Sequence, residues 1–447
     1  MDHDLNDFPL AAFPQAPLEG AGRRRLRQRR VFRGLQRHSD DCGAAAHGYR
    51  IDNAALGLVR GLMGLGIAIS ELPWGMLTDR RGDRPVLLTG LGSTALALMA
   101  MALWAAPDAQ HIPDLAWLGT GLLLVGLLGA SVNGASGRAV MTWFDASERG
   151  FAMSIRQTAV PLGGGVGALV LPYVALHFGF GVLYGLLAAL CALSAVMAWA
   201  WVHEPPQPQP LPQPQALVQP FPADAAGSAL APSLGPLRNG RVWRIVLGIG
   251  LLCAPQFAVL SFGTVFLHDF GHAGLATITA TMVFTQVGAM AMRVWSGRWT
   301  DRRRNRPAYL RACSALSVLL FAGLAALAWA AGRHAADTLA VRIALVGLLG
   351  VSSLCASAWH GVAYTELATL AGAARAGTAL GMANTSVFVV CFVTPLAIPH
   401  LLALQGWPVV RLAASACALA AMPLLVPRAA ATATDHPAAP TALGRCA

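Results

Sequence analysis

What most limits the fold of this 447-residue chain is the length of its apolar runs. A helix rises about 1.5 Å per residue, so about 20 mostly apolar residues cross the ~30 Å hydrocarbon layer of a bilayer. Eleven runs reach that length, at about 54–77, 86–106, 115–137, 151–175, 180–202, 242–267, 274–296, 308–331, 339–363, 376–402 and 407–427. No water is present in that layer to satisfy backbone groups, so runs of this length have to be helices. The expected class is an all-α integral membrane protein that passes through the bilayer many times. Composition agrees: only 12% of residues are Asp, Glu, Lys or Arg and 55% are hydrophobic.

The net charge of +11 would suit a nucleic-acid partner, but beyond residue 50 the arginines lie mainly in short gaps between runs, as cytoplasmic loops do. No nucleic-acid partner is expected. The eight cysteines show no CxxC spacing, and six fall inside apolar runs, where they read as small core residues rather than disulfides or metal ligands. There is no HExxH pair, GxSxG elbow or pair of carboxylates on one helix, so neither an intramembrane enzyme nor a cofactor is expected. Eight of the sixteen residues 22–37 are arginine, in a tail (1–50) with no apolar run.

Between the fifth and sixth runs lies a polar stretch rich in proline, which forbids helix. Read as a cytoplasmic linker at 203–240, it separates an N-terminal bundle (51–202, five spans) from a C-terminal one (241–428, six spans), followed by a tail (429–447). The halves repeat each other. "PWGMLTDRRGDRP" (73–85) is echoed by "WSGRWTDRRRNRP" (295–307), 222 residues on, and "RGFAMSIRQT" (149–158) by "RAGTALGMANT" (375–385). Two echoes in the same order indicate an internal duplication, the plan of many secondary transporters.

"GMLTDRRGDR" resembles the loop motif G-x-L-x-D-R-x-G-R-R/K of the major facilitator superfamily, matching in Gly75, Leu77, Asp79, Arg80, Gly82 and Arg84 and departing at Asp83. The second copy keeps Gly297, Asp301, Arg302 and Arg306 but has Arg304 where Gly82 stands in the first. The resemblance extends over residues 51–430. It implies two pseudo-symmetric helical bundles, a monomer acting on a small-molecule substrate by alternating access, and a conformational latch at these loops with which Arg138 communicates. Physically, Gly75 allows close helix approach, Asp79 can accept from the amides of a neighbouring helix N-terminus, and Arg80 and Arg84 can pair across the seam.

An ionisable group at membrane depth costs at least ~2.5–3.5 kcal/mol and asks for a partner or a function. Glu71 stands eight residues before Asp79, Arg293 eight before Asp301 and Arg156 seven after Arg149, so all three lie about 10–12 Å in from the arginine-rich face. With Arg138 they set three cations against one carboxylate. Either Glu71 pairs with Arg138 or Arg156 in a structural gate, or arginines left over, Arg156 and Arg293 above all, hold an anionic substrate such as a carboxylate. Arg60 either snorkels to the outer surface or faces the substrate path. Asn133, Gln157, Tyr364 and Asn384 are polar groups able to complete a site, and Gln157 and Asn384 occupy matching positions in the two halves. His360 is a candidate proton carrier or a core histidine. The run "PLGGGVGALVLP" (161–172), with Gly163-x-x-x-Gly167, reads as a close-packing element.

Placing the arginine-rich loops in the cytoplasm makes the first run start outside, and with it the basic tail, against the positive-inside rule. The family has twelve spans and its motif loop follows the second, whereas here the loop follows the first. Either the tail is tolerated outside, or a first helix has been replaced by unrelated sequence, which is the expectation adopted. The functional expectation is a secondary transporter in a bacterial-type inner membrane, moving a small organic solute with an anion favoured and protons as a candidate coupling ion. The alternative is a non-transporting sensor or remnant.

Overall fold

The computed structural model describes residues 53–107, 112–203, 235–334 and 338–425. The tail 1–50, most of the linker and the tail 429–447 lie outside the described residues, as does the expectation of a replaced first helix. The described chain is helical. The N-terminal half holds α1 (Asn53–Arg81), α2 (Asp83–Trp104), α3 (Leu115–Gly129), α4 (Ser131–Trp143) and α5 (Arg149–Trp201). The C-terminal half holds α6 (Gly240–Val265), α7 (Leu275–Arg303), α8 (Arg306–His334), α9 (Leu339–Ala358), α10 (His360–Ala371), α11 (Ala376–Gln405) and α12 (Trp407–Leu425).

Nine helical stretches among the described residues are long and apolar enough to cross a membrane. One of them, the 53-residue α5, is two helices that meet at Gly179 (φ 82, ψ 171), a backbone conformation open to glycine because it has no Cβ. α1 is a further helix of 29 residues. Two spans are each broken in two: α3 gives way to α4 at Ala130, and α9 to α10 at Trp359. A break inside a membrane frees carbonyls that need donors. Trp74 Nε1 donates to the Leu127 carbonyl at 2.7 Å, and the Ser296 hydroxyl is shared between the Ala358 carbonyl at 3.0 Å and the Arg293 carbonyl of its own helix at 2.9 Å. Trp74 and Ser296 hold the same position in the two copies of the repeat, so each break faces a donor from the equivalent place.

Within the halves, α1 packs on α3 and α4, α2 on α5, α6 on α11 and α12, and α8 on α12. The halves meet along two seams, α1 against α11 and α5 against α7. The core of the C-terminal half includes Ile249, Leu252, Leu310, Trp359 and Leu367, and that of the N-terminal half Leu98, Met101, Leu118 and Phe180. Cys191, Cys253, Cys313, Cys355, Cys391 and Cys417 are free thiols. The glycine-rich run departs from its expected role. A Cβ added at Gly163, Gly164 or Gly165 would meet nothing within 4 Å, because that side of α5 is turned away from its neighbours.

Candidate functional site

The site is built on the two seams. Asp79, near the end of α1, accepts from the amides of Gly377 and Thr378 at 2.8 Å each and from Thr378 Oγ1 at 2.5 Å. Asp301, near the end of α7, accepts from the amides of Gly150 at 3.2 Å and Phe151 at 2.7 Å. Each aspartate thus caps the helix that starts in the other half, at the same two positions of its first turn. Those helices have no cap of their own: the residues before them, Glu148 and Arg375, make no side-chain capping bond. A carboxylate at such an end is worth up to about 1–2 kcal/mol. A Cβ on Gly377 would sit 2.7 Å from Asp79 Oδ1 and 2.7 Å from the Gly75 carbonyl, so only glycine lets this clasp close.

The arginines of the loop act differently from the expectation. Arg80 is exposed, and Arg84 donates to the Trp199 carbonyl at 2.8 Å, within its own half. The bonds described across the seam from the first copy are those of the aspartate, which meets amides left free at the start of α11. In the second copy Arg302 is exposed, whereas Arg306 bonds Asp301 at 2.8 Å and reaches the Ala146 carbonyl across the seam at 3.3 Å. Arg138 pairs with Asp83 at 2.8 Å and stands 3.7 Å from Asp79, so the departure at Asp83 supplies it with a carboxylate. Arg304 takes the left-handed conformation (φ 51, ψ 36) at the turn where the first copy has Gly82 (φ 90), a strain of roughly 1–2 kcal/mol for a side-chain-bearing residue.

One helical stretch deeper lies the polar layer. Glu71 is 0% exposed, and among the described residues it forms no ion pair with Arg138 or Arg156, contrary to the gate expectation, although Arg156 is near enough to act on it electrostatically. It accepts from the side-chain amide of Asn133 in its own half and from Asn384 Nδ2 in the other at 3.1 Å. Asn384 Oδ1 in turn accepts from the Tyr364 hydroxyl at 2.7 Å. Arg138 is drawn off by the aspartates of the loop, one level nearer the surface.

Arg293 stands at the position of the repeat that Glu71 occupies in the first copy, and it makes the same kind of crossing with opposite charge. It is 3% exposed. Its Nη1 donates across the seam to the Gln157 carbonyl at 2.6 Å, and its Nε and Nη2 donate to the Ser357 carbonyl (3.1 Å) and hydroxyl (2.9 Å) at the helix break. The Gln157 carbonyl is available because the residue four places on is Pro161, which has no N–H to close the helical bond. Gln157 and Asn384 hold matching positions in the two halves, so two equivalent tethers join them, Glu71 to Asn384 and Arg293 to Gln157.

Arg156 is held less completely. Its Nε donates to Ser136 Oγ at 2.8 Å and its Nη2 to the Asn133 carbonyl at 2.6 Å, while among the described residues Nη1 has no partner. Unlike Arg293, it is partly exposed. His360 is buried with its ring stacked on Trp359 (centroids 4.0 Å), Nδ1 at 3.1 Å from the Ser357 carbonyl and Nε2 at 3.9 Å from Cys253 Sγ, the surroundings of a core histidine. Arg60 lies on α1, but its side chain is outside the described residues. Ser136 and Ser357 were not singled out from the sequence, and Asp83 only as a departure from the motif. The signal for the serines is their place near helix breaks, which a hydropathy reading does not resolve.

The layer therefore presents two guanidinium groups and one carboxylate, none of them in an ion pair among the described residues, at the meeting line of two repeats. Comparison with known proteins agrees with this plan. The family model of the Major Facilitator Superfamily matches residues 42–395. A Mycobacterium tuberculosis protein named as an uncharacterised MFS-type transporter is 31% identical over 373 residues, 83% of this chain and 76% of that protein. Among solved structures, the Escherichia coli fucose:proton symporter FucP is similar with a TM-score of 0.59 at 14% identity, covering 83% of this chain and 90% of that one. The proton:xylose symporter XylE, bound to 6-bromo-6-deoxy-D-glucose, has a TM-score of 0.61 at 16% identity, with 83% and 85% covered. From the matched family model, the repeated loop and the two clasped halves, the chain belongs to the Major Facilitator Superfamily of membrane transporters.

Proposed function

We propose that the chain is a secondary transporter that carries a small organic anion, in the first instance a carboxylate, across the inner membrane by alternating access with protons as the coupling ion. The observation that carries the anion reading is Arg156. It is a guanidinium at membrane depth with one edge bound to Ser136 and Asn133, and among the described residues its Nη1 has no partner and it forms no ion pair, Glu71 acting on it only at longer range. Guanidinium presents parallel donors that match a carboxylate, and a hydrogen bond to a charged group is worth roughly 1.5–3 kcal/mol. Arg293 has each of its three nitrogens bound to a protein acceptor and serves as a tether.

Glu71 supports the proton reading. It is a buried carboxylate whose two amide partners lie in different halves, so a change in its protonation alters a bond that the halves share. The fold neighbours named above are described as proton symporters of sugars. The test is uptake into proteoliposomes of a panel of carboxylates and neutral sugars. Arg156→Ala is expected to lower carboxylate uptake at least about tenfold, following the bond energy above, while Arg156→Lys retains part of it. Equal uptake in wild type and Arg156→Ala would remove the anion reading, and sugar uptake indifferent to Arg156 would replace it. Glu71→Gln is expected to retain substrate exchange and to lose accumulation driven by a pH gradient. Accumulation unchanged in Glu71→Gln would remove the proton assignment.

A further inference from the structure

We propose that the outer end of the C-terminal bundle contains a site for a compact monovalent anion of the halide class, built by Arg411 and the first turn of α12 between Phe266 and Trp407. Arg411 is 0% exposed, and none of Nε, Nη1 and Nη2 meets a hydrogen-bond acceptor among the described residues. Three other arginines at depth are provided for among the described residues: Arg293 has three acceptors, Arg156 two and Arg138 a carboxylate. The neighbours of Arg411 are rings. Its guanidinium carbon lies 4.3 Å from the centroid of Phe266 and 5.5 Å from that of Trp407, and the two rings meet edge to face at 5.2 Å. Aromatic faces attract a cation but do not accept its five N–H groups, and an ion of one sign enclosed without a counter-charge is costly.

A second source of positive potential converges on the same place. Long helical side chains lean toward the helix N-terminus, and the contact with Trp407 places the Arg411 guanidinium at the first turn of α12. Trp407 opens that helix after Gly406 (φ 77), which has no side chain to cap the free amides. Amides at a helix start and the positive end of its dipole bind anions. Phe266 begins the π-helical turn Phe266–Phe270, and the carboxylate on that turn, Asp269, bonds His268 at 2.7 Å. Burial at 0% exposure beside two aromatic rings favours a small, weakly hydrated ion. This place is separate from the polar layer: Asn384 and the end of α11 are 21 residues apart, about 30 Å along the helix.

The test uses the full chain in detergent, with gluconate replaced by chloride, bromide, nitrate or acetate at constant ionic strength. A ligand that binds the folded state raises the unfolding midpoint. Expected is a rise of several degrees with the halides and nitrate that saturates, and its loss in Arg411→Leu. No rise in the wild type, or the same rise in Arg411→Leu, would overturn the site, and a rise with acetate alone would overturn the halide class. Iodide quenching keeps the proposal testable if Arg411→Leu does not fold. A component quenched by iodide more than by acrylamide, and removed by Trp407→Phe, is expected; equal quenching by both agents would overturn it.

Discussion

At the scale of single residues, the charges in the membrane differ by how their donors are used, not by their type. Glu71 and Arg293 stand at equivalent positions of the repeat, and each is anchored both in its own half and across the seam. For Arg293 the crossing exists because Pro161 leaves the Gln157 carbonyl without a helical donor. Arg293→Met is expected to destabilise the protein by roughly 1–3 kcal/mol, the cost of an orphaned buried carbonyl. Pro161→Ala restores an N–H in register with that carbonyl, so the double variant is expected to lose less than the two single losses combined. A double-mutant cycle by thermal unfolding checks this, with a coupling of at least about 0.5 kcal/mol expected. Strict additivity would show that Gln157 and Arg293 are not coupled.

At the scale of elements, the clasps are helix caps supplied from the opposite half. Two helix starts, α5 and α11, were left without caps by their own flanking residues and received them from Asp301 and Asp79. Gly377→Ala puts a methyl group 2.7 Å from both Asp79 Oδ1 and the Gly75 carbonyl. It is expected to lower stability by about 1–3 kcal/mol, as overpacking does. Gly163→Ala, on a helix face with nothing within 4 Å, is expected to leave stability unchanged or raise it by up to about 1 kcal/mol. Thermal unfolding of the two variants side by side separates a glycine needed for close approach from one that is not, and a larger loss in Gly163→Ala would reverse the assignment.

At the scale of the whole molecule, two bundles are clasped at the arginine-rich face along seams related by the duplication. Alternating access requires those seams to part. Asp79→Asn weakens the bonds to Gly377 and Thr378 and is therefore expected to change the rate of uptake into proteoliposomes. An unchanged rate would mean that this seam stays closed through the cycle.

Hydropathy and the duplicated loop made the membrane class, the two-bundle plan and the polar layer legible, because helix length and rise convert sequence spacing directly into depth. Asp79, Asp301, Glu71, Arg156 and Arg293 were all visible as residues that a lipid environment does not require. Their partners were not, since a bond between Glu71 and Asn384 or between Asp79 and Gly377 joins positions about 300 residues apart. Depth along a helix says nothing of rotation about its axis, and rotation separates the open edge of Arg156 from the spent donors of Arg293. Rotation also left Gly163 without a neighbour, where the spacing of glycines had suggested a packed face. Arg411 was not among the residues singled out from the sequence, and only the packing of Phe266 and Trp407 around it shows that it is enclosed.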